Sequence, residues 1–331
     1  MKAILMTAIG DSAVLVEQKI DEPHLKTATE IKIKLRAAGV NPVDTKIRKN
    51  GLFYPNAILP AILGCDGVGE IVEIGKSVTD FKVGDKIWFC NGGLGREQGN
   101  YAEFTTIEQR WASLMPQSVS FENAAAAPLV LITAWNALFE RGNLQEGETV
   151  LIHAGAGGVG HVAIQLAKIA GARVITTVSS NEKADFVKSL GADEVIFYNQ
   201  TDVAQEVNRL TQNRGADLVF DTIGAEVFKQ SIACTAHFGR IVTLLDASNL
   251  DLSEVRMRNL SIGFELMLTP QLRDLDSERD KQIILLKKCA DFIDAGKLKI
   301  HVSHVLPLSE TKKAHDLIEQ GHTMGKIVLS I

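Results

Sequence analysis

The sequence predicts an α/β protein of two domains: a doubly wound parallel sheet and a β-rich domain. Three observations carry this expectation. The 331 residues exceed what one core ordinarily fills. Up to about residue 120 the chain reads as short strands broken by glycine and proline, whereas further on strands alternate with helices of about ten residues. A glycine-rich turn, "HAGAGGVGH", joins the first strand of the alternating region to its first helix.

In the first region, "EIKIKLRAAGV" (30–40) alternates polar and apolar residues as a half-buried strand does. "GVGEIVEIG" and "VGDKIWF" have the same pattern, with "SVTDFKVGD" as the turn between them, so a mostly antiparallel sheet is expected. After "SVSFENAAAAPLV" the alternation begins: strand "TVLIHA", helix "HVAIQLAKIAG", strand "ARVITTV", helix "EKADFVKSLG", strand "EVIFY", a helix through "VAQEVNRLTQ", strand "ADLVFDTIG", a short helix and strand "GRIVTLL". The tail is read as the helix "DKQIILLKKCADFIDAGKLK", which Gly296 ends, then a strand, a helix and the closing strand "GKIVLSI".

Composition narrows the function classes. An apolar fraction of 46% and a charged fraction of 23% are those of an ordinary globular chain. The net charge of −5 comes without basic or acidic blocks, which argues against a nucleic-acid or anionic-membrane partner. "MKAILMTAIG" has no signal-peptide pattern, and the longest nearly apolar run, "PLVLITAWNALF", falls short of the roughly 20 residues of a membrane span, so the cytoplasm is the expected location. Cys65, Cys90, Cys234 and Cys289 form no CxxC pair, which speaks against disulfides and a structural zinc lobe. His153, His161, His301 and His304 show no metal spacing and are expected to be structural.

Gly155, Gly157 and Gly160 form G-x-G-x-x-G between an apolar strand and an amphipathic helix, the context of a Rossmann dinucleotide site. Gly155 permits the tight turn, Gly157 leaves room for a pyrophosphate and Gly160 lets helix and strand pack closely. Gly158 and Val159 complete the loop, whose helix N-terminus offers free N–H groups. The second strand ends in "TTVSSNEK", where an NAD site usually places a carboxylate. Ser179, Ser180 and Lys183 stand there instead and suit the 2′-phosphate of NADPH, although Ser179-x-x-Glu182 also fits a capping box and Glu182 opposes a phosphate.

The chain resembles the medium-chain dehydrogenase/reductase superfamily, in its zinc-independent quinone oxidoreductase, zeta-crystallin-like branch. The likeness runs nearly end to end through "AAGVNPVDTKIR", "LGCDGVGEIVEIGKSVTDFKVGDKI", "GNYAEF", "AAAAPLVLITAWNAL", "HAGAGGVGHVAIQLAK", "GADEVIFY", "GADLVFDTIG" and "GKIVL". In the superfamily's zinc alcohol dehydrogenases the segment matching "GCDGVG" holds a histidine ligand; here that position is Cys65, followed by Asp66, and the other two ligand positions fall at Asn41 and near Leu129. Asparagine and leucine are not credible zinc ligands, so no metal is expected and Cys65-Asp66 reads as pocket wall.

The resemblance implies further properties. The domains become a GroES-like catalytic domain (1–124 and 271–331) and a Rossmann domain (125–270), with NADPH and the acceptor between them. Without zinc, hydride delivery to an acceptor that is already electrophilic is the expected chemistry, which means a quinone or an α,β-unsaturated carbonyl. Asn41 and Tyr54 are the implied catalytic residues, Asn41 offering its amide and Tyr54 a phenol that orients or protonates a carbonyl. Asp44 and Arg48 are expected to pair with each other. Tyr198, Asp221, Gly224 and Lys326 are the implied cofactor contacts outside the glycine loop. A homodimer joined at Rossmann sheet edges near "LSIGFELML" (260–268) is implied. An enone or enal reductase is the rival enzyme, and an NADPH-binding sensor without turnover the rival outside enzymes.

Overall fold

The computed structural model describes residues 1–245 and 251–331. They form two compact units: Met1–Leu129 with Leu268–Gly296 and Ile300–Ile331, and Val130–Met267 with Lys297–Lys299. Among the described residues no helix is long and apolar enough to cross a membrane.

The first unit is built on the strand Glu30–Val40. Its alternation turns Ile31, Ile33 and Leu35 into a core that Ile71, Ile87, Phe89 and Ile107 complete. This strand pairs antiparallel with Asp66–Ile74 along one side, and with Phe104–Glu108 and the closing strand Lys326–Ser330 along the other. Lys86–Cys90 adds to Asp66–Ile74, Ser113–Leu114 adds to Lys86–Cys90, and Val302–Pro307 adds to Lys326–Ser330 in parallel, giving a seven-stranded sheet. This is the GroES-like half of the fold.

A helix that periodicity did not reveal, Pro42–Asn50, follows the central strand directly, with proline in its first turn. The expected Asp44–Arg48 pair is not made. Their spacing of four puts both on the buried side of the helix, and each finds a partner elsewhere. Arg48 binds Glu319 on the helix Thr311–Gln320, while Asp44 accepts from Asn41 and Tyr101.

The second unit holds a wholly parallel six-stranded sheet in the order Glu194–Phe197, Arg173–Val178, Thr149–Ile152, Ala216–Asp221, Thr235–Thr243, Ser261–Phe264. Numbered along the sheet's own chain order this is 3-2-1-4-5-6, the Rossmann order. The strands are buried and apolar on both faces, as parallel strands covered by helices must be. The chain order reverses between Thr149–Ile152 and Ala216–Asp221, so the carboxyl ends of those two strands mark the switch point where such sheets bind ligands. Ser261–Phe264 is an edge strand, paired on one side only.

One buried group in the first unit makes a stability prediction. His315 is fully buried beside the Tyr101 ring, and neither ring nitrogen has a hydrogen-bond partner. Burial, with the Arg48 guanidinium adding to it, lowers its pKa to about 3. A base whose folded pKa lies below its unfolded value costs stability as pH falls from about 6.5 toward that folded value. At pH 5 this amounts to about 2 kcal/mol relative to pH 8. His315→Leu should therefore lose less stability than the parent between pH 8 and pH 5, by about that amount, in urea unfolding at the two pH values. Equal losses would show that His315 does not carry the acid sensitivity.

Candidate active site

The glycine loop occupies the carboxyl end of Thr149–Ile152, and the helix Gly158–Ile169 begins immediately after it. Gly155 packs against the neighbouring strand: a Cβ there would lie 2.0 Å from Thr176 Oγ1. At Gly160 a Cβ would lie 2.4 Å from the Ala154 carbonyl oxygen, so close helix–strand packing requires glycine. Gly157 differs, since an added Cβ would meet only the Ala154 oxygen, at 3.2 Å. Gly157 is also the N-cap of the helix, and no side chain caps that end. The N–H groups of Gly158, Val159 and Gly160 lie in the first turn of a helix that no side chain caps, the arrangement a pyrophosphate needs.

At the end of Arg173–Val178, the helix Asn181–Ser189 is capped by Ser180, whose Oγ accepts from the Lys183 N–H at 3.3 Å. The capping box offered by Ser179 and Glu182 is therefore not formed; Ser180 caps the helix instead, with Lys183 at the third position. The Ser179 carbonyl oxygen accepts from Asn199 Nδ2 at 3.1 Å. Tyr198 is half exposed and its N–H donates to the Val178 carbonyl, which sets it beside Ser179.

Asp221 does something other than was expected. It is fully buried; Oδ1 accepts from the N–H groups of Ile223 and Gly224, both at 2.9 Å, and Oδ2 accepts from Thr243 Oγ1 at 3.0 Å. Its carboxylate shapes the turn after the fourth strand and is spent in doing so. Gly224 adopts φ +78°, and a Cβ there would meet the Leu245 side chain at 2.8 Å, which explains its small size without a ligand. His153, which the sequence marks only as structural, links the two strand ends of the switch point. It is buried and neutral, burial lowering its pKa to about 4; it shares a hydrogen bond of 3.2 Å with Ser231, and its carbonyl accepts from Thr222 Oγ1.

The first unit brings Asn41, Asp66 and Lys326 together in one buried cluster. Asn41 Nδ2 donates to Asp66 Oδ2 at 2.9 Å. The Lys326 ammonium donates to Asn41 Oδ1 and, at 2.8 Å, to the Val40 carbonyl, and it lies 4.0 Å from Asp66 Oδ2. Asp66 Oδ1 accepts the Leu129 N–H at 2.8 Å. Burial pushes the Asp66 carboxyl up and the Lys326 ammonium down, each resisted by the other's charge. Asp44 adjoins the cluster, its pKa raised to about 6 by burial against hydrogen bonds from Asn41 N–H and Tyr101 Oη.

Glycines make room for this arrangement. A Cβ on Gly39 would come within 2.9 Å of Asp66 Oδ2, and Gly64, at φ +97°, would place one 2.5 Å from the Tyr101 ring. Asn100 Nδ2 ties down the turn by donating to the carbonyls of Gly64, Cys65 and Asn91. Asp66 is thus more than pocket wall. Tyr101 was not recognised from sequence, its signal being Gly64 beside it, and Asp44 was expected only to pair with Arg48.

These positions also carry two corrections. Asn41 exposes no surface and its amide is held at both ends, by Lys326 and Asp66, whereas a free amide facing an acceptor was expected. Tyr54 is not part of the cluster's bonding: its hydroxyl donates to the Gln271 carbonyl at 2.9 Å, and its ring lies under the Arg96 guanidinium at 4.7 Å. Burial and the Glu97 charge raise its pKa, so it stays protonated, with its one hydrogen already given.

A catalytic zinc does not fit this donor set. The Asn41 carbonyl faces an ammonium, and Leu129 supplies only a backbone N–H. The Cys65 thiol is held well above its ordinary pKa, by burial first and then by Asp44, whereas zinc binds the thiolate. Among the described residues no group of three or more His, Cys, Asp or Glu side chains could hold a metal ion.

Comparison with known proteins agrees with this architecture. Residues 27–117 match the alcohol dehydrogenase GroES-like domain family, and residues 190–329 the family described as zinc-binding dehydrogenase. The quinone oxidoreductase of Pseudomonas aeruginosa is 34% identical over 99% of both chains. The chloroplastic NADPH-dependent alkenal/one oxidoreductase of Arabidopsis thaliana is 31% identical over 99% of this chain and 79% of its own length. Among solved structures, Escherichia coli quinone oxidoreductase complexed with NADPH superposes with a TM-score of 0.89 at 27% identity, and an NAD-dependent alcohol dehydrogenase with 0.90 at 33%, each over the whole of both chains. The chain belongs to the medium-chain dehydrogenase/reductase superfamily. It is an oxidoreductase of that superfamily, with quinone oxidoreductases among its relatives.

The uncapped helix start at Gly157 yields a test of the loop. Gly157→Val should abolish nicotinamide-cofactor binding while leaving the fold intact, because its side chain would fill the pyrophosphate's place. Fluorescence titration with NADPH, alongside a thermal unfolding control, checks this; undiminished affinity would mean the loop holds no pyrophosphate.

Proposed function

We propose that this protein is a zinc-independent reductase that uses NADPH to reduce quinones. The observation that carries the reading is the self-contained cluster at the positions where zinc relatives hold their metal. Its amide, ammonium and carboxylate satisfy one another, and neither Asn41 nor Tyr54 offers an uncommitted acid. Alcohol oxidation and ketone reduction need a group that polarises or protonates the oxygen. A conjugated acceptor does not, since it delocalises the incoming charge onto oxygen and can take its proton from water. The P. aeruginosa and E. coli quinone oxidoreductases support the quinone as first choice. The Arabidopsis alkenal/one oxidoreductase supports an enone or enal as the second.

The second unit would hold the cofactor, whose chemistry when bound is to supply hydride. The loop 155–160 accommodates the pyrophosphate, and Ser179, Ser180 and Lys183 would meet the 2′-phosphate. Tyr198 lies toward the same end. Asp221 and Gly224 shape the turn at the switch point beside it. The edge strand Ser261–Phe264, with Phe264 and Leu266 exposed beside it, is the surface through which we expect two copies to pair.

The test is cofactor consumption against a panel of quinones, enals, enones and simple ketones. We expect oxidation of NADPH by quinones at the highest kcat/KM and none by simple ketones. Turnover only with enals or enones would select the second reading, and silence throughout would contradict both. The same assay with Ser180→Asp addresses cofactor choice. Aspartate also caps a helix, so the fold is kept while the new carboxylate repels the phosphate. Charge-assisted hydrogen bonds are worth about 1.5–3 kcal/mol, so preference for NADPH over NADH should fall about ten- to a hundredfold. An unchanged ratio would show that residue 180 does not meet the 2′-phosphate.

A further inference from the structure

The first turn of the helix Asp276–Asp294 carries a buried cation outside the cluster around Lys326: Arg279, which is 5% exposed. Its Nη2 donates to Asn91 Oδ1, and its Cζ lies 3.3 Å from the centre of the Trp111 ring. All three residues belong to the first unit, Asn91 directly after the strand Lys86–Cys90 and Trp111 in the short helical turn Gln109–Trp111. A guanidinium carries five N–H hydrogens in a fixed plane. The bond to Asn91 places one of them, and among the described residues no acceptor meets the rest.

The carboxylates around Arg279 are committed elsewhere. Asp276 and Asp280, on its own helix, are held by Arg110 at 3.1 and 2.6 Å, and Glu278 is held by Lys281 at 2.7 Å. Glu97 and Asp274 are held by Arg96 at 2.9 and 2.6 Å, and the other Glu97 oxygen accepts from Gln271 Nε2. The Trp111 indole N–H is also buried without a partner, so this place holds donors and lacks an acceptor. Buried charges are ordinarily paired, because leaving water without a counter-charge is costly. Arg48 Nε and Nη1 are sealed from solvent, whereas the unpartnered nitrogens of Arg279 still touch it. The guanidinium therefore lies at the floor of a recess that a small ligand can enter.

Its free hydrogens select that ligand. Adjacent N–H groups on one edge of a guanidinium are coplanar and match the two oxygens of a carboxylate. Trp111 covers one face, which leaves the edge as the approach. A dianionic phosphate would call for a second cation, and Arg96 and Arg110 are already neutralised by the carboxylates they bind.

We propose that Arg279, stacked on Trp111 and steered by Asn91, anchors a binding site for a small monocarboxylate, whose two oxygens take paired hydrogen bonds from its free edge. The site lies wholly within the first unit and stands apart from the reductase reading.

Isothermal titration calorimetry of the whole protein with sodium benzoate at fixed ionic strength tests this, with benzamide, chloride and inorganic phosphate as comparisons. We expect benzoate to bind at one site per chain with a Kd of about 10 mM or tighter, and each comparison to bind at least about tenfold more weakly. Arg279→Met, which keeps a long apolar stem against Trp111, should weaken benzoate about ten- to a hundredfold. Arg279→Lys keeps the charge without the fork and should weaken it about tenfold. Circular dichroism checks the fold of each variant; should Arg279→Met not fold, Arg279→Lys and the uncharged benzamide carry the test. A weaker benzoate Kd in the parent, equal affinity for benzoate and any comparison, or unchanged benzoate affinity in either folded variant would each overturn the proposal.

Discussion

One buried ammonium, that of Lys326, ties the GroES-like unit together at its functional end. Charges are costly to bury, and this one is placed where an amide, a main-chain carbonyl and a carboxylate meet it. Breaking such a buried pair by removing one partner typically costs about 3–5 kcal/mol, chiefly because the surviving charge is stranded. The surrounding backbone is fitted to the cluster. Gly39 leaves room for the Asp66 carboxylate, Gly64 for the Tyr101 ring, and Asn100 clamps the turn between them. Residues that look unrelated in the sequence, from 39 to 326, are thus held by a single electrostatic constraint.

The Rossmann unit solves a different problem by different means. Its sheet order brings two strand ends together at residues 153 and 221, and neither is left to a loop's own preference. His153, Thr222 and Ser231 lock one side, and Asp221 spends both oxygens on the other. Between these fixed ends the glycine loop needs no side chain of its own. Gly155 and Gly160 are demanded by packing, whereas at Gly157 a Cβ would press only on the Ala154 carbonyl oxygen. What the loop would offer a pyrophosphate is accordingly backbone geometry, prepared before a ligand arrives.

The fold was readable wherever periodicity was strong. The alternation of "EIKIKLRAAGV" became Glu30–Val40, and the strand–helix succession from "TVLIHA" onward became the parallel sheet in its expected order. The helix Pro42–Asn50 was not readable, because it is short and its buried face is polar: Asp44, Thr45 and Arg48 are buried alongside Ile47. The site was half readable. Glycine spacing located the strand–turn–helix loop, since a missing Cβ is visible in sequence. The roles of Asn41, Asp221 and Lys326 were not, because they depend on partners more than twenty residues away: Asn41 on Asp66, Asp221 on Thr243, and Lys326 on Asn41. Sequence shows which groups are present; only three dimensions show which of their hydrogen bonds are already spent.

If the cluster only holds the backbone in place, reduction of a conjugated acceptor here needs no Lewis acid. The most direct test of that account is the metal content of the active protein. Elemental analysis of freshly purified, fully active material should find zinc far below one atom per chain, and turnover with the best acceptor should survive exhaustive treatment with chelator. One zinc per chain, lost together with activity and restored with it, would contradict the account.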